Sequence, residues 1–222
     1  MNIEKINGFW VPSNDIHIKN WKDKDGVYAR FTQDKCFEMF LRHCRNQKEK
    51  FRTVLDIGAW CGTWSYEIQK YAERVIAFEP DKVHAECYKK NLKQFPTCEV
   101  ITKAVGNEKG SVTLTDDNFT QGKRVESTTG NVPIVTIDSF NYENVDLIKI
   151  DVEGYEMNVL QGAKNTLKET KYLMVELNNN TKKYGSNNRE VERYIRKLGF
   201  RLLLDRWPDK VFVKNKILNS HI

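Results

Sequence analysis

Nine consecutive residues constrain this chain more than any others: Val54-Leu55-Asp56-Ile57-Gly58-Ala59-Trp60-Cys61-Gly62. The first four read as a short buried strand, and the glycines then mark a tight turn into a helix. A second run, Val75-Ile76-Ala77-Phe78-Glu79-Pro80-Asp81, reads as another buried strand that ends in a carboxylate. Asp56 and Glu79 lie 23 positions apart (79 − 56), room for one strand–helix–strand unit. Such a unit suits a nucleoside, because glycines let a ligand meet the backbone and an acid on the next strand can accept ribose hydroxyls. A nucleoside-bearing cofactor is the first expectation.

The glycine pattern narrows the cofactor. A dinucleotide fingerprint needs Gly-x-Gly-x-x-Gly, with the middle glycine clearing space for a pyrophosphate. Here Trp60 occupies that place, and no Gly-Lys-Ser or Gly-Lys-Thr of a phosphate-binding loop occurs anywhere in the chain. Asp-x-Gly-x-x-x-Gly followed by a later Glu resembles instead the S-adenosylmethionine (SAM) loop of class I methyltransferases, which faces a cofactor without phosphate.

A third segment, Asp146-Leu147-Ile148-Lys149-Ile150-Asp151-Val152-Glu153-Gly154-Tyr155-Glu156, is a strand that ends in two carboxylates and a glycine. Met157-Asn158-Val159-Leu160-Gln161-Gly162-Ala163 follows it. Together they closely resemble the Lys-Ile-Asp-Val-Glu-Gly signature of FkbM-type methyltransferases. Ala104-Val105-Gly106-Asn107-Glu108-Lys109-Gly110, Val135-Thr136-Ile137-Asp138-Ser139-Phe140 and Val175-Glu176-Leu177 extend the likeness in order, from about Thr53 to Leu177. One departure is Trp60, where the family usually carries Asn. The resemblance implies a Rossmann-like α/β fold with a mostly parallel seven-stranded sheet, helices on both faces and a C-terminal antiparallel hairpin. It also implies SAM as cofactor and O-methylation of a sugar, glycan or small natural-product hydroxyl.

Periodicity supplies the elements on its own. Phe37, Phe40, Leu41 and Cys44 fall at i, i+3, i+4 and i+7, which predicts an amphipathic helix over about 33–47. Strands are expected at 53–57, 74–78, 98–102, 146–150 and 172–177, with short ones at 112–115 and 134–137. Helices are expected at 62–71, 82–94 (capped by Asp81), 155–168 and 188–198, the last stopped by Gly199. Phe200–Asp205 and Lys210–Lys214 read as a closing hairpin. Strand–helix alternation predicts a parallel sheet covered on both faces. Residues 1–50 read as a helical extension on a single methyltransferase domain, 51–222.

In open α/β sheets the ligand site gathers at the carboxyl ends of the strands. Asp56, Glu79, Asp151, Glu153 and Glu176 all end strands and should converge there. Gly58, Ala59 and Gly62 should run along the methionine and ribose portions of the cofactor. Glu79 should accept both ribose hydroxyls, and Asp56 should orient the loop or touch the ligand. Lys103, Ala104 and Val105 resemble the segment that borders the adenine. Asp151 is the leading general-base candidate and Glu153 the second; capping the next helix or holding the cofactor amino group are their other roles. His17, His43, His84 and His221 lie outside the strand-end motifs and read as solvated surface. Paired acids without a third ligand argue against a metal.

Charge is uneven along the chain. Residues 1–52 carry 11 Lys/Arg against 7 Asp/Glu, residues 53–167 carry 12 against 17, and residues 168–222 carry 13 against 6. The acidic middle suits a cationic sulfonium, while the basic flanks suit an anionic acceptor or ordinary solvated surface. They also leave open a nucleic-acid methyltransferase, although no Asn-Pro-Pro-Tyr motif or aromatic stacking platform accompanies them. A nucleoside-binding module without catalysis is the non-enzymatic alternative. Five cysteines, none in a Cys-x-x-Cys pair, lack the spacing of a zinc or iron–sulfur site. With no apolar run of signal-peptide or membrane-spanning length, a cytoplasmic protein with no membrane partner is expected. The long polar connection 116–132 and the segment 178–185 are the expected acceptor loops.

Overall fold

The computed structural model describes residues 2–15, 35–45, 49–115 and 124–215. The described chain opens on two strands, β1 (Ile3–Ile6) and β2 (Phe9–Pro12), followed by helix α1 (Lys35–Arg45). Next come β3 (Phe51–Ile57), α2 (Thr63–Ile68), β4 (Ala72–Phe78), α3 (Lys82–Asn91) and β5 (Cys98–Ile101). Three strands then form a separate small sheet: β6 (Ala104–Val105), β7 (Gly110–Leu114) and β8 (Val125–Val135). The chain returns through β9 (Val145–Ile150), α4 (Glu156–Gln161), α5 (Thr166–Glu169) and β10 (Tyr172–Glu176). It closes with α6 (Asn188–Lys197), β11 (Phe200–Arg206) and β12 (Asp209–Lys214).

The main sheet has seven strands in the order β11-β12-β10-β9-β3-β4-β5. Every pairing from β10 to β5 is parallel, and β12 joins β10 and β11 antiparallel, as the closing hairpin predicts. Side chains alternate between its faces. Leu55, Ile76, Ile148 and Leu173 point into one core with Val159, Leu160 and Leu167 of the α4–α5 segment and Val191 and Ile195 of α6. Val54, Val75, Leu147 and Tyr172 point into the other, against Phe37 and Phe40 of α1 and Trp64 and Ile68 of α2. The strands are therefore buried on both sides, which is why they read as continuous apolar runs. Asp81 caps α3 by accepting from the Val83 and His84 amides.

Three sequence expectations change. Residues 3–12 form a hairpin, not a helical lead-in, with Asn7 (φ 50°) and Gly8 (φ 87°) in the left-handed turn between its strands. The helix expected over 155–168 stops at Gln161, and Gly162 follows as its cap, where a Cβ would sit 1.9 Å from the Gly106 carbonyl oxygen. It restarts where the Asp138 carboxylate accepts from the Asn165 and Thr166 amides. The connection expected over 116–132 is in its described part a strand, β8, paired with β7. Most of β8 is exposed, so no apolar alternation announces it.

The N-terminal hairpin is tied to the glycine turn through one side chain. Asn91, the last residue of α3, accepts from the Trp10 amide (2.7 Å) and donates to the Trp10 carbonyl (2.9 Å) and the Cys61 carbonyl (2.8 Å). Phe9 and Val11 pack on Cys61 and Cys87 beside it. No helix among the described residues is long and apolar enough to cross a membrane. Replacing Asn91 with Ala should leave buried backbone groups unpaired and cost about 1–3 kcal/mol. Urea unfolding measures that loss, and the hairpin should become the earliest site of proteolytic cleavage.

Candidate active site

Chain order runs outward from β3 through β4 and β5 on one side, and through β9 and β10 on the other. The crevice beyond the carboxyl ends of β3 and β9 is thus the topological switch point, where such sheets take ligands. Gly58 opens the turn there at φ 82°, and a Cβ on it would sit 1.7 Å from the Asp151 carbonyl oxygen. Only glycine allows β3 and β9 to end this close together. The Gly58 and Ala59 amides both donate to the Phe78 carbonyl (2.9 and 3.2 Å), which folds the turn over the end of β4. Ala59 is 3% exposed, and Gly62 caps α2 in the left-handed region.

Glu79 follows β4 and is 6% exposed. One of its oxygens accepts from the Trp60 amide (2.8 Å) and the other from the Asp81 amide (2.9 Å). A carboxylate offers about four lone-pair sites, and these two amides take two of them. Trp60 packs its ring against the hairpin cluster, so the residue that departs from the family pattern joins the N-terminal packing. His84 is 4% exposed with Nδ1 3.4 Å from Glu79 Oε1. This corrects the expectation of a surface histidine: the Asp81 cap turns the first turn of α3 toward Glu79. His43 is exposed, and His17 and His221 lie outside the described residues.

Asp56 is fully buried. Its Oδ2 accepts from the Ser65 hydroxyl (2.7 Å) and its Oδ1 lies 3.3 Å from Lys149 Nζ, so the carboxylate supports the turn from beneath. Ala104 and Val105 form β6, 5% and 4% exposed. Ala104 packs with Ile134 and Tyr155, and Val105 enters the main core.

The acids after β9 and β10 do converge. Carboxylate oxygens of Asp151, Glu153 and Glu176 lie within 4.8 Å of one another. Glu153 holds φ 56°, and its Oε2 accepts from Asn178 Nδ2 (3.1 Å) and Asn180 Nδ2 (2.9 Å). Asn178 Nδ2 also donates to Glu176 (3.0 Å). Like charges this close cannot all ionise freely. The charge on Asp151, then burial, pushes Glu176 well above the usual carboxylate range, so the cluster holds a proton more readily than isolated acids do. Burial and Asp151 also raise Glu153, against the two carboxamides. Sequence reasoning argued against a metal for want of a third ligand; Glu176 is a third acid, and three such oxygens are a set that a hard divalent cation accepts.

Around the acids, Tyr184 donates from its hydroxyl to the Val125 carbonyl (2.6 Å) and meets Tyr155 edge-on at 5.0 Å. This brings β8 and the segment after β10, two expected acceptor regions, to one wall. Glu156, which the sequence did not single out, is fully buried and holds the loop through the Gly154 amide (2.9 Å).

The sequence model of the Methyltransferase FkbM domain matches residues 53–202. Among curated proteins, the hexuronic acid methyltransferase AglP of Haloferax volcanii is 26% identical over 171 residues, which cover 68% of this chain and 71% of that protein. Among solved structures, the chain superposes on methyltransferase FkbM of Methylobacillus flagellatus with a TM-score of 0.52 and 18% identity. That match covers 76% of this chain and spans 46% of the longer one. The magnesium protoporphyrin IX methyltransferase ChlM of Synechocystis, solved with SAM bound, superposes with a TM-score of 0.50 and 10% identity, over 81% of this chain and 77% of that one. The structural likenesses are likenesses of fold.

Burial pushes Glu156 up to about 7, and its Oε2 has no hydrogen-bond partner among the described residues. A carboxyl whose folded pKa is raised stabilises the fold fully below its unfolded value of 4.5, and that stabilisation is lost as pH rises through about 7. Wild type should therefore lose on the order of 3 kcal/mol between these limits. Glu156→Gln keeps an acceptor for the Gly154 amide and should remove most of that pH dependence. Urea unfolding at pH 4.5, 6 and 8 measures both.

Proposed function

The chain belongs to the FkbM methyltransferase family, and from that premise we propose that it uses SAM to methylate a hydroxyl of a sugar, glycan or small natural product. The observation that carries this reading is the meeting, at one switch point, of a nucleoside-type turn with Glu79 and the acids Asp151, Glu153 and Glu176. SAM supplies a methyl carbon on a cationic sulfonium, open to in-line attack. The residues suit it: the glycines of the Gly58–Gly62 turn let the body of the ligand come close, and the Glu79 carboxylate has acceptor capacity left for a ribose hydroxyl. Asp151, with its side chain 36% exposed, can accept the proton of an attacking hydroxyl. Glu153, held by two carboxamides, and Glu176 beside it can orient neighbouring hydroxyls. Alignment of this kind supplies much of the rate in a displacement reaction.

AglP acts on a hexuronic acid, which supports a sugar-class acceptor here. The acid cluster favours a sugar hydroxyl over a carboxylate as the methylated group, since a carboxylate would enter against the charge of Asp151. A nucleic-acid acceptor has the basic flanks alone in its favour.

Calorimetry should detect binding of SAM or its demethylated product, S-adenosylhomocysteine, and Glu79→Ala should weaken it by roughly 1.5–3 kcal/mol, the scale of a hydrogen bond to a charged group. No binding to the wild type, or unchanged affinity in folded Glu79→Ala, overturns the cofactor assignment.

Asp151→Asn keeps the shape of the side chain and removes its charge. Turnover on a hydroxylated acceptor, found by a mass search of extracts given labelled SAM, should fall on the order of 10²–10⁴-fold. Product-cofactor affinity should change little. Normal turnover in this variant would move the catalytic role to Glu153 or to positioning alone.

A further inference from the structure

Strand β9 is buried at all six positions, yet one of them is a lysine. Lys149 is 9% exposed, and its ammonium meets three acceptors: the Gly58 carbonyl at 2.9 Å, Asp151 Oδ2 at 3.2 Å and Asp56 Oδ1 at 3.3 Å. The carbonyl takes a hydrogen bond from the ammonium, and the two carboxylates stand at ion-pair distance from it. Burial works against the charged form, but Asp151 and Asp56 outweigh it and hold the pKa above that of an ordinary lysine.

The arrangement has more than a structural use. Asp56 and Lys149 are direct register partners on β3 and β9, so the two strand ends cannot shift without breaking this pair. Gly58 begins the turn that faces the cofactor site, and its carbonyl is fixed by the same ammonium that fixes one oxygen of Asp151. From these contacts we propose that Lys149 is a positioning residue for the cofactor turn, holding the Gly58 carbonyl against the end of β9 and tying it to the Asp151 carboxylate. The proposal rests on reading that turn as the SAM site. An in-line transfer tolerates little error in the distance between its parts, and this one side chain spans both.

The test separates positioning from simple structural support. Lys149→Met fills the same space but leaves Asp56 and Asp151 without their cation, a loss of stability that by itself obscures binding. Asp56→Asn/Lys149→Met removes one of the two stranded charges, with Asp56→Asn alone as its reference. Each protein is unfolded in urea and titrated with S-adenosylhomocysteine by calorimetry. The double variant should recover much of the urea midpoint lost by Lys149→Met, yet bind S-adenosylhomocysteine at least tenfold more weakly than Asp56→Asn. Affinity within threefold of Asp56→Asn in the folded double variant overturns the proposal and leaves the lysine a structural ion. A wild type that does not bind S-adenosylhomocysteine fails at the earlier step: it overturns the cofactor reading, and this inference with it.

Discussion

Two parallel strands at the centre of a sheet can slip past each other, and a slip by one residue turns every side chain to the wrong face. Between β3 and β9 charge opposes this at both ends. At the start, Arg52 reaches Asp146 with Nε (3.1 Å) and a terminal guanidinium nitrogen (2.7 Å), and its own amide donates to the same carboxylate (2.8 Å). Burial works against the Asp146 carboxylate, but Arg52 and Lys171 outweigh it and hold its pKa below the usual value. At the far end stand Asp56 and Lys149. The apolar residues between them are buried on both faces and supply the adhesion; the charged pairs add a penalty for slipping at either end. With the register set, Gly58 and Asp151 arrive side by side, and the crevice follows from that.

Much of this was legible because the relevant physics is local. Strands buried on both faces leave continuous apolar runs, and Val54–Ile57, Val75–Phe78 and Leu147–Ile150 could hardly be read otherwise. Carboxylates at the ends of such runs mark the functional edge of the sheet, so Glu79, Asp151, Glu153 and Glu176 could be named before their distances were known. The seven-stranded topology itself came from family likeness; periodicity alone gave parallel strands and a final hairpin.

What escaped depends on contacts between distant parts of the chain. His84 carries no sign in its neighbours that the Asp81 cap turns it toward Glu79. Strand β8 gains its partner across the small sheet and not from a buried face, so hydropathy is silent there. Glu176 could be placed at a strand end, but its distance from Asp151 depends on the β9–β10 register. Two misses did have a signal. Asn7-Gly8 between apolar residues is the strongest short-range mark of a hairpin. A lysine inside an apolar strand, with an aspartate inside the neighbouring one, should prompt a search for a buried pair.

Glu153 keeps a left-handed backbone next to Gly154, which has φ 109°. That conformation costs an ordinary residue about 1–2 kcal/mol, and glycine at position 153 would relieve it. The two carboxamide hydrogen bonds from Asn178 and Asn180, and the greater freedom of glycine in the unfolded chain, oppose that relief. The strain is therefore carried by the same carboxylate that its neighbours hold in place. Heating alone is a poor guide to this position, and a stabilised version of this chain has to be chosen on what it binds as well as on how well it survives heat.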